Sequence, residues 1–430
     1  MKATTRIVTA ACALTLGVGT ATNALSTPSC SEQITRATVI PCAIEASLGA
    51  RSEQLGLVAL DGRRRSAAVV LPSNPTLTLT AGLPFDPSTT ERTPLWSAAL
   101  SQEVEIAGQR GARLDVVAAE QRAQRARLTV AQRQTAADAL FAYFDAIASR
   151  EDLNVAERLM KLANALKTVA SARAQVGVGS DLDARLAEAA AIRLARTRIA
   201  AEQRVATTSA SLTTLLGLNP VLERPQIDGE LIPLATADLP AAVLVETALT
   251  RRADIAVLAA ERQAQEQRIK VFERLRIPNP TFSAFARRDW IGERVVGLGI
   301  SFPIPLPAPV GRTYAGEIAE ATAFVQRAET QIEAGHRAIR LEVVKAAEVV
   351  YARKRQLELY TPEQIQKTGS AVDAIADELI AKRLPVREAL IAQQALIEVL
   401  SGHVEAQRAL CFATVELARV AGIELERGAQ

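Results

Sequence analysis

Residues 73–82, SNPTLTLTAG, and residues 278–287, PNPTFSAFAR, both place an Asn-Pro pair directly before a predicted strand. The two motifs are 205 positions apart (279 − 74). The glycines that follow the last helix of each half, Gly217 and Gly422, have the same spacing (422 − 217). Equal spacing of separate landmarks indicates an internal duplication. Each half is predicted to run helix, strand, turn, strand, very long helix, tight turn and second long helix.

The predicted strands have one apolar and one polar face. Residues 76–80, 97–106 and 295–302 alternate with period two, whereas residues 281–286 alternate poorly. A strand with one apolar face suits a wall between lipid and water. Four strands cannot close a membrane barrel, and open sheet edges are not tolerated in lipid. The pattern therefore predicts that several copies of the chain combine.

The only two tryptophans, Trp96 and Trp290, stand at the turn ends of these strands. A membrane interface favours Trp because its ring is apolar while its N–H needs a polar partner. We therefore predict a membrane-interface belt at both positions. The alternative is a pair of ordinary core tryptophans in a soluble hairpin.

Long helices make up most of the rest. No proline occurs from about residue 108 to 176, and apolar residues recur there at alternating spacings of four and three, which is a heptad seam. A helix of roughly 70 residues is about 100 Å long, which suits a tube that crosses the periplasm. Pro362 is expected to kink the second long helix. The seam residues are Leu140, Phe144, Ile147, Val155, Leu159, Leu162, Leu166 and Val169, and Ile339, Val343, Ala346 and Val350 form a second seam.

Composition excludes several classes of protein. The chain is 49% hydrophobic, but its mean hydropathy is only +0.11 and 23% of its residues are charged. This balance excludes both a polytopic helical membrane protein and a disordered chain. A net charge of +3 with interspersed signs gives no electrostatic argument for nucleic-acid binding.

The first 24 residues are predicted to be a signal peptide. Lys2 and Arg6 precede a short apolar core, and a small-x-small site ends at Ala24. Beyond it, Cys30 and Cys42 either pair in an oxidising compartment or stay as two thiols. A lipid anchor on Cys30 has no supporting sequence context.

These features resemble the TolC family of outer-membrane efflux proteins. The resemblance rests on the duplication, on VGVGSDLDARLAEA at 176–189 and on GISFPIPLPAPVGRTYAGEIAEA at 299–321. It implies a mainly α fold with a small β part, a TolC-like α/β barrel with a duplicated helix–strand–strand–helix–helix unit, and a trimer whose barrel has twelve strands. The predicted organisation is a signal peptide at 1–24, a first repeat at 25–220 (strands about 74–83 and 95–107, helical hairpin about 108–217) and a second repeat at 221–430 (strands about 280–288 and 294–305, helical hairpin about 311–421).

Residues 100–113, LSQEVEIAGQRGAR, resemble the CzcC-like heavy-metal efflux branch. This resemblance implies the outer-membrane channel of a tripartite efflux system in a Gram-negative bacterium. Such a channel is a passive duct for divalent cations of the cobalt, zinc, cadmium or nickel type. The implied partners are two further copies, a periplasmic membrane-fusion adaptor, an inner-membrane resistance–nodulation–division pump and outer-membrane lipid. The alternatives are a TolC-like channel for drugs or secreted proteins, and a soluble periplasmic coiled-coil adaptor.

The candidate functional residues lie at the two helix turns. In the family's architecture these turns form the periplasmic tip and contact the adaptor. We expect no enzyme activity, cofactor or metal ligand set, because His336 and His403 are far apart and lack a ligand motif. The expected tip residues are Val176, Gly177, Gly179, Ser180, Asp181, Lys382, Arg383, Leu384 and Pro385. Asp181, Asp183 and Glu388 either form an acidic, cation-selective ring in the lumen or cap helices on a solvated face.

Overall fold

The computed structural model describes residue 30 and residues 33–83, 94–235, 239–289, 292–381 and 384–425. The predicted signal peptide, its cleavage site, Trp290, Lys382 and Arg383 lie outside these ranges. The elements are β1 (Gln33–Ile34), α1 (Arg36–Ala46), α2 (Leu48–Ala67), β2 (Thr76–Gly82), β3 (Leu95–Glu103), α3 (Gln109–Gln175), α4 (Asp181–Leu215), β4 (Gln226–Ile227), α5 (Ala241–Arg251), α6 (Ala253–Leu275), β5 (Thr281–Arg288), β6 (Arg294–Ser301), α7 (Ala315–Glu358), α8 (Pro362–Ile380) and α9 (Val386–Ala421).

Four strands form one antiparallel sheet in the order β2-β3-β5-β6. Across it Thr76 pairs with Ser101, Ser101 with Ser283, and Ser283 with Gly299. Directly opposite residues share a face, so one face is apolar along all four strands and the other carries mostly Thr, Ser and Gly. The apolar face carries Leu77, Leu79, Ala81, Trp96, Ala98, Leu100, Phe282, Ala284, Ala286, Val296, Leu298 and Ile300, with Gln102, Arg288 and Arg294 at its ends.

The poor alternation of β5 has a packing explanation. Phe285 is paired with Gly297 on the face that otherwise carries small and polar side chains. A Cβ atom on Gly297 would lie 2.6 Å from the Phe285 ring. The aromatic ring therefore occupies the space that the glycine leaves open, which a reading of β5 alone cannot reveal.

Two strands are shorter than the sequence predicted. β3 ends at Glu103 and not near residue 107, because Gly108 (φ +71°) then turns the chain into α3. β6 ends at Ser301 and not near residue 305, because Pro303 and Pro305 have no N–H with which to continue a ladder.

The long helix α3 runs unbroken for 67 residues, or about 100 Å. On its first half Glu120 accepts from Arg268 of α6 at 2.8 Å, and Gln124 donates to Glu53 of α2 at 2.7 Å. Its second half packs against α4. The predicted seam is buried there at Leu140, Phe144, Ile147, Leu159, Leu162 and Leu166. In the described part of the chain no helix has a stretch apolar enough and long enough to cross a membrane.

Three hydrophobic clusters hold the helices together. The first joins α1, the middle of α3 and the end of α9 around Phe144. The second joins the far half of α3 to α4, α8 and the start of α9 around Leu166. The third joins α5, α7 and α9 around Val343. Small side chains, chiefly Ala, fill many of these contacts and let the helix axes approach closely.

The N-terminal part of the described chain consists mainly of helices and contains a disulfide. α1 and α2 lie against α3, and β1 pairs in parallel with β4 in the link between the repeats. Cys30 and Cys42 form a disulfide with their Cα atoms 5.9 Å apart. Of the two alternatives for Cys30 and Cys42, a disulfide or two free thiols, the structure contains the disulfide. Cys411 is a buried free thiol.

The second long helix is broken rather than bent. α7 ends at Glu358, and α8 begins at Pro362, the first helical position, where the missing N–H of proline is no loss. Tyr360 lies in the break and packs closely against Gly402 of α9. A Cβ atom on Gly402 would lie 2.5 Å from the Tyr360 hydroxyl oxygen, so the glycine leaves room for this ring. The predicted kink at Pro362 is therefore a full interruption of the helix.

Candidate functional site

The exposed sheet is the first part of the candidate site. Side chains on its apolar face are open to solvent in one chain: Leu79 is 69% exposed and Leu298 is 87% exposed. Trp96 is 41% exposed at the turn end of β3 and lies on this same face. Both outer strands, β2 and β6, have a free edge within the described sheet. An isolated sheet of this kind leaves a large apolar area and two rows of backbone groups without partners.

A polar cluster joins the sheet to the long helix. The Asn279 Oδ1 atom accepts from Gln109 Nε2 at 2.8 Å, and Asn279 Nδ2 donates to Glu103 Oε1 at 2.8 Å. Gln109 is fully buried, and its Oε1 accepts from the Ala107 N–H at 3.0 Å. This cluster is named the junction cluster below: Glu103, Gln109 and Asn279. It ties the entry of β5 to the entry of α3.

Charged side chains next to the junction cluster strengthen the same connection. Arg274 of α6 donates to the carbonyl oxygens of Ala107 at 3.3 Å and Gly108 at 2.8 Å. Glu105 forms an ion pair with Arg113 one turn into α3. Sequence reasoning recognised the Asn-Pro motif as a landmark but missed these partners, although residues 100–113 contain most of them.

The first helix turn is closed by backbone hydrogen bonds. Gly177 has a φ of +73°, which favours glycine. The N–H groups of Val178 and Gly179 both donate to the Arg173 carbonyl, at 3.0 and 2.9 Å, and so satisfy the end of α3. Ser180 caps α4 by accepting from the Leu182 N–H at 3.2 Å.

The two turns lie together at one end of the molecule. Arg173 of the first donates to the Leu384 carbonyl of the second at 3.3 Å, and Pro385 then opens α9. Val176 and Val178 are exposed, the latter by 81%. The described tip thus presents two valines on a backbone that is well hydrogen-bonded.

Two of the three acidic residues at the tip face arginines. Asp181 accepts from Arg185 Nε at 2.8 Å, and Asp183 Oδ1 lies 3.5 Å from Arg387 Nη2 of α9. Glu388 follows Arg387 in the first turn of α9 and is exposed. Asp183 and Glu388 are thus brought to the same region, while the charge of each aspartate is partly compensated within the chain.

A second charged cluster lies midway along the helices. Asp145 of α3 is 3.3 Å from Arg204 of α4 and 2.7 Å from Arg408 of α9. Asp152 lies 3.6 Å from Arg204, and burial raises the pKa of Asp152 above its usual value. These ion pairs connect three helices and were not predicted from the sequence.

The histidines lie apart from these clusters. His403 packs against the Tyr360 ring with the centroids 5.8 Å apart, and burial lowers its pKa. His336 lies on α7. Among the described residues no three His, Cys, Asp or Glu side chains gather as a metal site would need.

Comparison with solved structures shows the fold. The chain is 17% identical to the outer-membrane channel OprN over 91% of this chain and 90% of that one, with a TM-score of 0.72. It is 14% identical to the Campylobacter jejuni outer membrane channel CmeC (90% and 85%, TM-score 0.72) and to CusC (90% and 92%, TM-score 0.70). The predicted TolC-like fold, mainly helical with a small sheet, is thereby confirmed.

Sequence comparison gives a family match over part of the chain. No curated protein matches the chain in a sequence search. The family model described as outer membrane efflux protein matches residues 53–218, from α2 through α4. This match also supports the expectation that the chain is not an enzyme. Residues 53–218 are therefore similar to the outer membrane efflux protein family, and the chain has the fold of the solved channels over nine-tenths of its length.

Proposed function

We propose that the chain is one subunit of an outer-membrane export channel. The observation that carries this proposal is a four-stranded sheet with one continuous apolar face, joined by a five-residue connection between β3 and α3 to a helix about 100 Å long. The apolar face suits lipid, and the helices suit a tunnel through an aqueous compartment. The family match of residues 53–218 supports the same function.

The channel is proposed to be a homotrimer. Four strands per chain give twelve strands in three copies, which removes both free edges of the sheet. In this arrangement Trp96 lies on the lipid-facing side at the turn end of its strand, where an indole ring suits the membrane interface. The small and hydroxyl side chains of the other face then line the pore.

The tips are proposed as the contact with a periplasmic adaptor and, through it, an inner-membrane pump of the resistance–nodulation–division type. The exposed Val176 and Val178 provide an apolar contact at the end of the helices. The Arg173–Leu384 hydrogen bond keeps the two turns next to each other, so both are available to one partner. Lys382 and Arg383 belong to the same proposed contact by their sequence position.

The proposed cargo is divalent heavy-metal cations that pass without tight binding. Its support is the resemblance of residues 100–113 to the CzcC-like branch, together with the three carboxylates at the tip. Glu103 and Gln109 of that stretch belong to the junction cluster, which positions the proposed barrel on the proposed tunnel. A duct that coordinated its cargo tightly would fail to release it.

Fractionation and conductance test the channel. The full chain, expressed in a Gram-negative host, should be recovered with the outer membrane and should conduct ions in planar bilayers. As a matched pair, Leu298→Arg on the apolar face should reduce recovery in the outer membrane, because an arginine on a lipid-facing strand costs about 2–4 kcal/mol near the bilayer midplane. Ser301→Arg, an exposed position on the opposite face of the same strand, is the control. Recovery of the wild-type chain as a soluble periplasmic protein would contradict the proposal.

Growth assays test the cargo. A strain that lacks the gene should become sensitive to cobalt, zinc, cadmium or nickel salts and should regain resistance with the wild-type gene. Unchanged metal resistance combined with new sensitivity to drugs would reject the metal cargo and leave the channel in place.

A further inference from the structure

We propose a specific strand pairing between copies of this chain: β6 of one copy pairs antiparallel with β2 of the next, so that the numbers of paired residues sum to 379. The inference rests on the proposed assembly of several copies into one barrel. It adds which residues of β6 and β2 lie opposite each other where two copies meet, a contact called the β6–β2 seam below. The evidence is the strand register within the two repeats of one chain.

The registers inside the chain relate the strands of the two repeats. Thr76 of β2 is paired with Ser101 of β3, and Thr281 of β5 is paired with Ser301 of β6. β5 therefore corresponds to β2 with a shift of 205 (281 − 76). β6 corresponds to β3 with a shift of 200 (301 − 101), because the turn between the strands is five residues shorter in the second repeat.

The chain already contains one contact between repeats, and it serves as the template. β3 of the first repeat is paired with β5 of the second, with Ser101 opposite Ser283. Ser301 corresponds to Ser101, and Thr78 corresponds to Ser283 (283 − 205). If each repeat meets the next in the same way around a closed barrel, Ser301 of one copy lies opposite Thr78 of its neighbour.

The faces of the two free strands agree with this register, although they were not used to derive it. It places Phe302 opposite Leu77, Ile300 opposite Leu79, Leu298 opposite Ala81 and Val296 opposite Leu83. These side chains are apolar and exposed in the single chain; Leu298 is 87% exposed and Val296 is 83% exposed. Ser301, Gly299 and Gly297 meet Thr78, Thr80 and Gly82 on the other face. A slip of one residue would instead place the apolar side chains of each strand opposite the polar face of the other.

The backbone pattern agrees as well. In the template contact the Val104 N–H donates to the Pro280 carbonyl at 3.0 Å. The equivalent bond between copies joins Ile304 to Pro75, the proline of the first Asn-Pro motif. In an antiparallel ladder hydrogen-bonded pairs alternate with non-hydrogen-bonded ones. Because Ile304 and Pro75 form a hydrogen-bonded pair, Ser301 with Thr78 and Gly299 with Thr80 are non-hydrogen-bonded pairs, whose side chains approach most closely.

Disulfide cross-linking in the assembled protein tests the register with four substitutions in crossed combinations. Thr78→Cys with Ser301→Cys, and Thr80→Cys with Gly299→Cys, are the in-register pairs. Thr78→Cys with Gly299→Cys, and Thr80→Cys with Ser301→Cys, use the same substitutions two positions out of register, about 7 Å along the strand. Native cysteines interfere little, because Cys30 is paired with Cys42 and Cys411 is buried.

Covalent oligomers on a non-reducing gel are the readout. β2 and β6 lie at opposite edges of the sheet, about 14 Å apart, so these cysteines cannot pair within one chain. Both in-register pairs should yield at least about tenfold more dimer and trimer than either crossed pair, since a disulfide needs Cα atoms within about 7 Å. The single-cysteine variants should stay monomeric on the gel.

The mass of the native oligomer in detergent, measured together with conductance, distinguishes a wrong register from a wrong seam and from the absence of a channel. A conducting trimer that cross-links equally well or better in the crossed pairs overturns the register and leaves the proposed function intact. A conducting trimer without any cross-link overturns the β6–β2 seam. A monomer without conductance overturns both the seam and the proposed channel.

Discussion

Asn279 accepts a hydrogen bond from Gln109 at 2.8 Å, which joins residues 170 positions apart at the point where the sheet meets the longest helix. The same amide donates to Glu103. Both hydrogen-bonding ends of Asn279 are therefore used, and the entry of β5 is locked to the start of α3. This contact helps to fix the orientation of the sheet on the helices, together with the hydrogen bonds from Arg274 of α6 to the carbonyl oxygens of Ala107 and Gly108.

Replacing Asn279 should weaken that connection. Asn279→Leu keeps the approximate size but leaves the buried Gln109 amide and the Glu103 carboxylate without this partner, at a cost of about 1–3 kcal/mol. Thermal unfolding should show a lower midpoint than wild type. The exposed Asn164 of α3 is the control, since Asn164→Leu should change the midpoint little. The double variant Gln109→Leu/Asn279→Leu should cost less than the sum of the two single variants; strict additivity would contradict the direct contact.

Neutralising the tip aspartates separates the two interpretations of the acidic residues. If Asp181 and Asp183 form a cation-selective ring, Asp181→Asn/Asp183→Asn should reduce the preference for cations in single-channel recordings. Because Arg185 and Arg387 already compensate these charges in part, we expect a reduction of about twofold or less. Unchanged selectivity would reject the ring and leave both residues as helix-capping charges.

Gln393 offers a stabilising substitution. It is only 1% exposed in α9, and among the described residues neither of its side-chain amide atoms has a hydrogen-bond partner. An unsatisfied buried amide costs about 1–3 kcal/mol, so Gln393→Met should raise the unfolding temperature. Gln331→Met on the exposed face of α7 is the matched control. A lower temperature for Gln393→Met would mean that the amide gains a partner in the assembled channel.

The Arg252–Asp254 pair predicts a pH-dependent contribution to stability. Burial alone would raise the pKa of Asp254, but the hydrogen bonds and charge of Arg252, 2.6 Å away, outweigh it and hold that pKa below its usual value. A depressed carboxyl pKa stabilises the folded chain above the unfolded value of about 4 and loses this effect as the pH falls through the folded value.

Asp254→Asn should therefore unfold at a lower temperature than wild type at pH 7, by roughly a degree or two since the pair is partly exposed. The difference should shrink as the buffer is made more acidic than pH 4 or so. Asp115→Asn, at an exposed position on α3, is the control. A difference that persists unchanged in strong acid would assign the effect to packing and not to charge.

Local patterns in the sequence determined the elements of this protein. The TLTLT run requires a strand with one apolar face, and the proline-free heptad seam around Leu159 requires a long helix, because each pattern repeats within a few residues. The spacing of 205 between the motifs determined the duplication. The prediction that several copies combine also came from the sequence, since four strands cannot close a barrel.

Only the tertiary structure decided which distant residues meet. The junction cluster joins positions 170 or more apart, and Phe285 fits over Gly297 across a sheet, so neither contact leaves a local periodic signal. The register between β3 and β5 likewise depends on how the two repeats pack. In the proposed assembly, that register is the template from which the pairing of β6 with β2 of the next copy is inferred.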